Sequence, residues 1–127
     1  MLRNDLIFSS ASIWTKELHM AHHVTGTFVG HRGLRLFYQF WLPEGTPKAV
    51  VLLSHGLGEH SSRYESTAAV LTDHGYGVFA LDHQGHGQSE GKRGYIRQVE
   101  DYVYDLQKLM AIVRERHLDI PVFLFGH

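Results

Sequence analysis

A short run of aliphatic and β-branched residues that leads directly into a glycine-rich turn constrains the fold most strongly. Residues 49–54 read AVVLLS, and the turn His55–Gly58 reads HGLG. A continuous apolar run that ends at a turn is typical of a strand buried on both faces, as in the middle of a parallel sheet. The sequence therefore predicts a sheet that is covered by helices on both sides.

Strand-like and helix-like segments alternate along the rest of the chain. Two antiparallel strands, Thr27–Val29 and Leu34–Leu42, are predicted around the turn Gly30–Gly33, and further buried strands at Tyr76–Leu81 and Val122–Phe125. This order favours an α/β fold, with a mostly parallel sheet, an antiparallel opening pair and flanking helices.

Two helices are predicted between these strands. The first follows Ser62, whose spacing to Glu65 fits a capping box, and stops near Gly75. The second spans Val99–His117, with acidic residues at its start and basic residues at its end, as the helix dipole favours. Its apolar stripe consists of Val99, Tyr102, Val103, Leu106, Leu109, Met110 and Val113.

Composition excludes several classes of protein. The 127 residues amount to about one domain, which we place at 25–127 after a poorly structured lead-in at 1–24. A net charge of -1 without a run of Lys or Arg argues against nucleic acid as a partner. Without cysteine there is no disulfide and no thiol nucleophile. The lack of cysteine fits a reducing compartment, so we expect a cytoplasmic protein. No apolar run reaches the roughly 18 residues of a membrane span, and peripheral membrane association is left open.

The 11 histidines raise the hypothesis of a metal site, because imidazole is a common metal ligand. None of them has the H-E-x-x-H spacing of a helical zinc site, and we expect neither a metal nor a cofactor. The glycine pair of the HGLG turn also fits the start of a dinucleotide-binding loop, but Ser61 occupies the position of the third glycine. The histidine pairs considered as ligands are His22 with His23, His55 with His60, and His83 with His86.

Two loops that follow predicted strands could carry chemistry. In the HGLG turn, glycines allow a close approach of the backbone, so an N–H there can face a developing oxyanion. A glycine-rich turn that merely ends a strand is the alternative. The loop Asp82–Ser89, DHQGHGQS, combines two glycines with side chains that can cap backbone amides, and is predicted to shape a pocket without reacting.

Three motifs in order carry a resemblance to a known family. HGLGEHSSRY at 55–64, DHQGHGQSEG at 82–91 and PVFLFGH at 121–127 resemble the α/β-hydrolases, and within them the monoacylglycerol lipases. The resemblance implies a partial α/β-hydrolase domain over 25–127, of the serine aminopeptidase and monoacylglycerol lipase type. It further implies a parent enzyme that hydrolyses a monoacylglycerol-like lipid ester and releases a fatty acid.

The resemblance also assigns roles to residues. The backbone N–H of Leu57 would be one oxyanion donor, and Glu59 and Arg63 would bind the substrate near its glycerol group. For Glu59 and Arg63, a surface ion pair or a helix-entry contact is the alternative. The residues expected to shape the pocket are His55, Gly56, Gly58, Asp82, Gly85, Gly87 and Ser89.

The ending Gly126-His127 matches the start of the nucleophile elbow G-x-S-x-G, in which the serine would come next. The serine, acid and histidine of the family follow in that order, so all three are expected beyond His127. Neither Ser54, in a strand, nor Ser89, in a loop, has the position of a nucleophile. We therefore expect the N-terminal half of an enzyme, inactive by itself, marginally stable and prone to aggregate through an apolar edge strand.

Two other interpretations remain open. The chain could be a non-catalytic module that binds lipid or pairs with a full-length hydrolase through its exposed sheet edge. It could also be a fragment of a related lysophospholipase, epoxide hydrolase or peptidase, which keeps the fold and changes the chemistry.

Overall fold

The computed structural model describes residues 22–117 and 119–127, and in this part the predicted alternation of strands and helices is present. A short 3-10 helix, Ser61–Tyr64, leads directly into the first α-helix. The elements in chain order are β1 (His22–Val29), β2 (Arg35–Leu42), β3 (Val50–Ser54), α1 (Glu65–Asp73), β4 (Gly77–Leu81), α2 (Val99–Arg116) and β5 (Val122–Gly126).

The strands form one mixed sheet in the order β1-β2-β4-β3-β5. β1 and β2 are antiparallel, β2 is also antiparallel to β4, and β3 is parallel to both β4 and β5. Because β2 alone runs against the others, the mostly parallel sheet with an antiparallel opening pair is confirmed.

β1 begins before residue 25, where we placed the start of the domain. His22 pairs with Leu42 at the far end of β2, so the length of β2 extends the hairpin. Residues 1–21, which make up most of the predicted lead-in, lie outside the described residues.

The two faces of the sheet carry separate apolar clusters. On one face Leu52, Phe79 and other strand residues pack against Leu109 and Val113 of α2. On the other face Leu53 and Val78 pack with Ala68 of α1. Since successive side chains of a strand point to opposite faces, the two helices lie on opposite sides of the sheet.

The start of α1 differs from the prediction. Ser62 lies in the 3-10 helix and not at a helix N-cap, and its Oγ accepts a hydrogen bond from Gln39 Nε2 at 3.0 Å. This tertiary bond to β2 uses the hydroxyl that a capping box would need. The predicted stop is confirmed, because Gly75 has a φ of +91° just after the helix ends.

The boundaries of α2 are close to those predicted, but its stripe is only partly buried. Leu109 and Val113 are fully buried, whereas Val99 and Val103 in the first turns are exposed. These two side chains lie at the carboxyl edge of the sheet, where they line a cavity described below.

The parallel strands bring three sequence motifs to one edge of the sheet. β3 leads into the HGLG turn, β4 into the loop 82–91, and β5 into His127. Ser54 at the end of β3 is opposite Gly126 at the end of β5. In open α/β sheets the carboxyl edge of the strands is the usual place for a ligand site.

Candidate active site

The HGLG turn presents a free backbone donor at this edge. The side chain of Leu57 is 87% exposed, and its N–H donates to no group among the described residues. Gly58, with a φ of +75°, makes the sharp reversal after it. An unpaired N–H in a glycine-rich turn can donate to an oxyanion. That Leu57 has this role stays a prediction.

The turn is closed by two reciprocal hydrogen bonds between Gly56 and Glu59. The N–H of Glu59 donates to the Gly56 carbonyl, and the N–H of Gly56 donates to Glu59 Oε1, both at 3.1 Å. A Cβ added at Gly56 would lie only 2.8 Å from Nδ1 of His127. An added methyl group at Gly56 would therefore require the end of β5 to shift.

Glu59 is held ionised by its partners. The Tyr64 hydroxyl donates to Glu59 Oε1 at 2.7 Å, and Nδ1 of His127 lies 3.3 Å from Oε2. The Tyr64 bond, followed by the Gly56 N–H, lowers the pKa of Glu59 to about 2. Glu59 thus organises the turn. Sequence reasoning missed the contact of Tyr64 with Glu59, because the spacing of Tyr64 places it on the apolar face of the predicted helix.

Arg63 does not line the cavities at this edge. It lies exposed in the 3-10 helix, where its N–H donates to the His60 carbonyl at 3.2 Å. Among the described residues its guanidinium forms no ion pair. The substrate contacts expected of Glu59 and Arg63 stay predictions.

The conformation of the loop after β4 is fixed by hydrogen bonds of two of its own side chains, Asp82 and Ser89. Asp82 accepts the Ser61 N–H at Oδ1 (2.7 Å) and the Gln88 N–H at Oδ2 (2.9 Å). Ser89 Oγ donates to the Asp82 carbonyl at 2.5 Å and accepts the Phe37 N–H at 2.8 Å. Both residues are buried below the loop, so they fix its shape without lining the cavities.

Two cavities meet at Leu57. The first, of about 310 Å³, lies between the HGLG turn and α2, with His55, Gly56 and Tyr102 in its wall. The second, of about 520 Å³, lies between the same turn and the loop after β4. Gly58, Glu59, His60, Gly85, Gly87 and Arg93 line the second cavity.

Sequence reasoning missed the structural role of a histidine cluster in the wall of the first cavity, formed by His55, His83 and His86. Ser54 Oγ lies 2.9 Å from His83 Nε2, the spacing of a nucleophile and its base. However, burial lowers the pKa of His83 to about 3, so its ring is too weak a base to activate a hydroxyl. Ser54 also ends a strand and does not stand in a strand-to-helix turn, so this pair joins β3 to the loop after β4.

No group of three or more His, Asp or Glu side chains is placed to hold a metal ion in residues 22–117 and 119–127. The three histidine pairs considered as ligands therefore have no third ligand in these residues. Within the same ranges, neither α-helix is long and apolar enough to cross a bilayer.

Comparison with known proteins identifies the family. The family described as serine aminopeptidase, S33, matches residues 45–127, which include all three motifs. The chain belongs to this family of α/β-hydrolases. The fold class and the family resemblance inferred from the motifs are confirmed.

The relatives include several lipases. Monoglyceride lipase of Rattus norvegicus is 45% identical over 95 residues, which are 75% of this chain and 31% of that protein. Monoacylglycerol lipase of Mycolicibacterium smegmatis is 40% identical over 101 residues, 80% of this chain and 36% of that protein. The chain thus spans about a third of the length of these relatives.

Solved structures show the same partial coverage. A thermostable carboxyl esterase from Bacillus coagulans, in complex with glycerol, matches with a TM-score of 0.76 and 29% identity, over 83% of this chain and 36% of its own. A soluble variant of monoglyceride lipase from Saccharomyces cerevisiae, in complex with a substrate analog, matches with a TM-score of 0.65 and 27% identity, over 75% of this chain and 33% of its own.

Proposed function

We propose that this chain forms the oxyanion-donor part of a serine ester hydrolase of the monoacylglycerol lipase type, whose nucleophile, acid and histidine follow His127. The observation that carries the proposal is the unpaired N–H of Leu57 at the carboxyl edge of the sheet. By itself the chain would bind or position an ester and leave it intact.

The position of β5 supports this arrangement. The His127 N–H donates to the Ser54 carbonyl at 3.1 Å, which holds the end of β5 beside the HGLG turn. A residue attached to His127 would therefore begin close to Leu57. When a nucleophile attacks an ester carbonyl, negative charge develops on the carbonyl oxygen, and a fixed N–H such as that of Leu57 stabilises it. The second donor would come from the residue after the nucleophile.

The walls of the site suit an amphipathic ester. Val99, Val103 and Leu106 of α2 give the first cavity an apolar side. The second cavity has polar groups, with the Glu59 carboxylate and the Arg93 guanidinium among its lining residues. A monoacylglycerol has an acyl chain for the apolar side and a glycerol group for the polar side.

Activity-based labelling tests the proposal directly. The 127-residue chain should not react with a serine-directed fluorophosphonate probe, and covalent labelling would contradict the absence of a nucleophile.

The transcript should be read past codon 127, where Ser-x-Gly-Gly is expected. A chain extended accordingly should hydrolyse monoacylglycerol and take up the probe, and its serine-to-alanine variant should do neither. An aspartate at codon 128 would indicate an epoxide hydrolase instead.

A second candidate function is favoured by the exposed β5 edge. Phe123, Leu124 and Phe125 are 61%, 66% and 46% exposed, and β5 pairs with β3 alone among the described strands. Such an edge can pair with a strand of another chain. A pull-down with an intact monoglyceride lipase tests this role. Saturable binding that is lost in Phe123→Lys would support it. A lack of binding would argue against it and would leave the hydrolase proposal as the remaining one.

A further inference from the structure

The His55 side chain is hydrogen-bonded to the backbone of the HGLG turn. The Gly56 carbonyl oxygen accepts two hydrogen bonds, from Nδ1 of His55 at 2.8 Å and from the Glu59 N–H at 3.1 Å. The peptide bond between Gly56 and Leu57 is trans, so its C=O and N–H point in opposite directions. Two donors on the oxygen therefore turn the Leu57 N–H to the other side.

The second ring nitrogen of His55 determines which tautomer is present. The backbone N–H of His83 donates to His55 Nε2 at 3.0 Å, so Nε2 must carry a lone pair. A neutral imidazole has one N–H, which is then on Nδ1 and faces the Gly56 carbonyl. Burial lowers the pKa of His55, in keeping with a neutral ring.

We infer that His55 is a positioning residue for the oxyanion donor. Held as the Nδ1–H tautomer by the His83 backbone, its ring binds the Gly56 carbonyl and so directs the Leu57 N–H to the reacting oxygen. The inference rests on the proposed function, since it concerns the donor of the same site. It links the end of β4 to the turn after β3, because His55 contacts both.

Histidine NMR tests the tautomer on the 127-residue chain without any catalytic step. In a two-bond proton–nitrogen correlation spectrum at neutral pH, we expect the His55 ring to show the Nδ1–H pattern, assigned by its loss in His55→Phe. An Nε2–H pattern or a charged ring would overturn the inference.

Two variants separate the two bonds of the ring. In His55→Phe both bonds are lost, so the dipolar coupling of the Leu57 N–H should change, and the His83 amide should exchange about tenfold faster, the order of magnitude for one hydrogen bond. In His55→Asn the side-chain amide can replace Nδ1 but does not reach the position of Nε2. The Leu57 coupling should therefore recover, while His83 stays fast.

The remaining outcomes are also decisive. An unchanged Leu57 coupling in His55→Phe, with β1–β2 amides intact, would overturn the inference. If His55→Phe fails to fold, His55→Asn alone must keep the Leu57 coupling and speed up His83 exchange, and any other pattern counts against His55 as a positioning residue. A lack of ester hydrolysis in the extended chain would refute the proposed function and leave these readouts unaffected.

Discussion

Glycines of the candidate site are required for two separate physical reasons. Some have a positive φ, which costs any other residue energy, and some leave no space for a Cβ. Gly87 combines both, because its φ is +49° and an added Cβ would lie 2.2 Å from Asp82 Oδ2. Gly94 has a φ of +68°, and nothing lies within 4 Å of its added Cβ.

This contrast predicts different costs for the same substitution. Gly94→Ala should lower the free energy of unfolding by about 1 kcal/mol, from the left-handed conformation alone. Gly87→Ala should lower it by about 3 kcal/mol, because the methyl group also displaces the Asp82 carboxylate. Urea unfolding of the two variants measures the difference, and equal costs would show that the Asp82 contact yields without strain.

The ionisation of Glu59 gives a prediction about pH. Because its folded-state pKa of about 2 lies below the ordinary 4.5, ionised Glu59 contributes stability above about pH 4.5. This contribution is lost as the pH falls from 4.5 toward 2. Tyr64→Phe removes the largest cause of the shift, so the pKa of Glu59 should rise toward 4.5, without reaching it while the Gly56 N–H remains.

Carboxyl-carbon NMR titration of the variant measures this pKa. Tyr95→Phe is the matched control, since Tyr95 has its contact with Lys92 and none with Glu59. The control should leave the titration of Glu59 unchanged. A value that stays near 2 in Tyr64→Phe would mean that the backbone donor alone sustains the shift.

At the level of elements, the β1–β2 turn is fastened to α2. Arg32 Nε donates to Asp101 Oδ2 at 3.0 Å, and the His31 N–H donates to Asp105 Oδ1 at 2.7 Å. Both carboxylates are buried, and burial raises the pKa of Asp105. Because α2 forms a wall of the first cavity, this fastening also holds that wall in place.

Breaking the Arg32 pair should be costly. Arg32→Met leaves the buried Asp101 carboxylate without its cation, which costs about 3–5 kcal/mol for a fully buried pair. Since the Arg32 side chain is 31% exposed, we expect about 2 kcal/mol. Arg35→Met is the control, because its pair with Glu90 is exposed on both sides and should contribute less than about 1 kcal/mol. Thermal or urea unfolding compares them, and equal effects would argue against the burial argument.

The sequence was informative about elements and much less so about contacts between them. Hydrophobic periodicity and glycine-rich turns predicted the strands, both helices and the three motifs at the carboxyl edge. The bonds His55 to His83, Tyr64 to Glu59 and Gln39 to Ser62 were not predictable, because each joins groups whose approach depends on sheet order or on the 3-10 turn. For the same reason a local capping box gave way to a tertiary bond.

For the whole molecule, the tendency to associate depends on the last strand of the sheet. β5 pairs with β3 on one side, and the described residues leave its other edge open. Leu124 faces α2, in an apolar groove of about 230 Å³, so Phe123 and Phe125 lie on the opposite face. Exposed apolar side chains on an open edge favour pairing between copies.

We therefore expect the 127-residue chain to self-associate as its concentration rises. Lysine at both Phe123 and Phe125 places two like charges on that face, and should keep the chain monomeric at concentrations where the unmodified chain associates. Val70→Lys is the control, because Val70 is 59% exposed on α1, away from β5, and the substitution should leave association unchanged. Sedimentation velocity measures the three proteins. A monomeric unmodified chain with a sharp cooperative thermal transition would show instead that the open edge is tolerated.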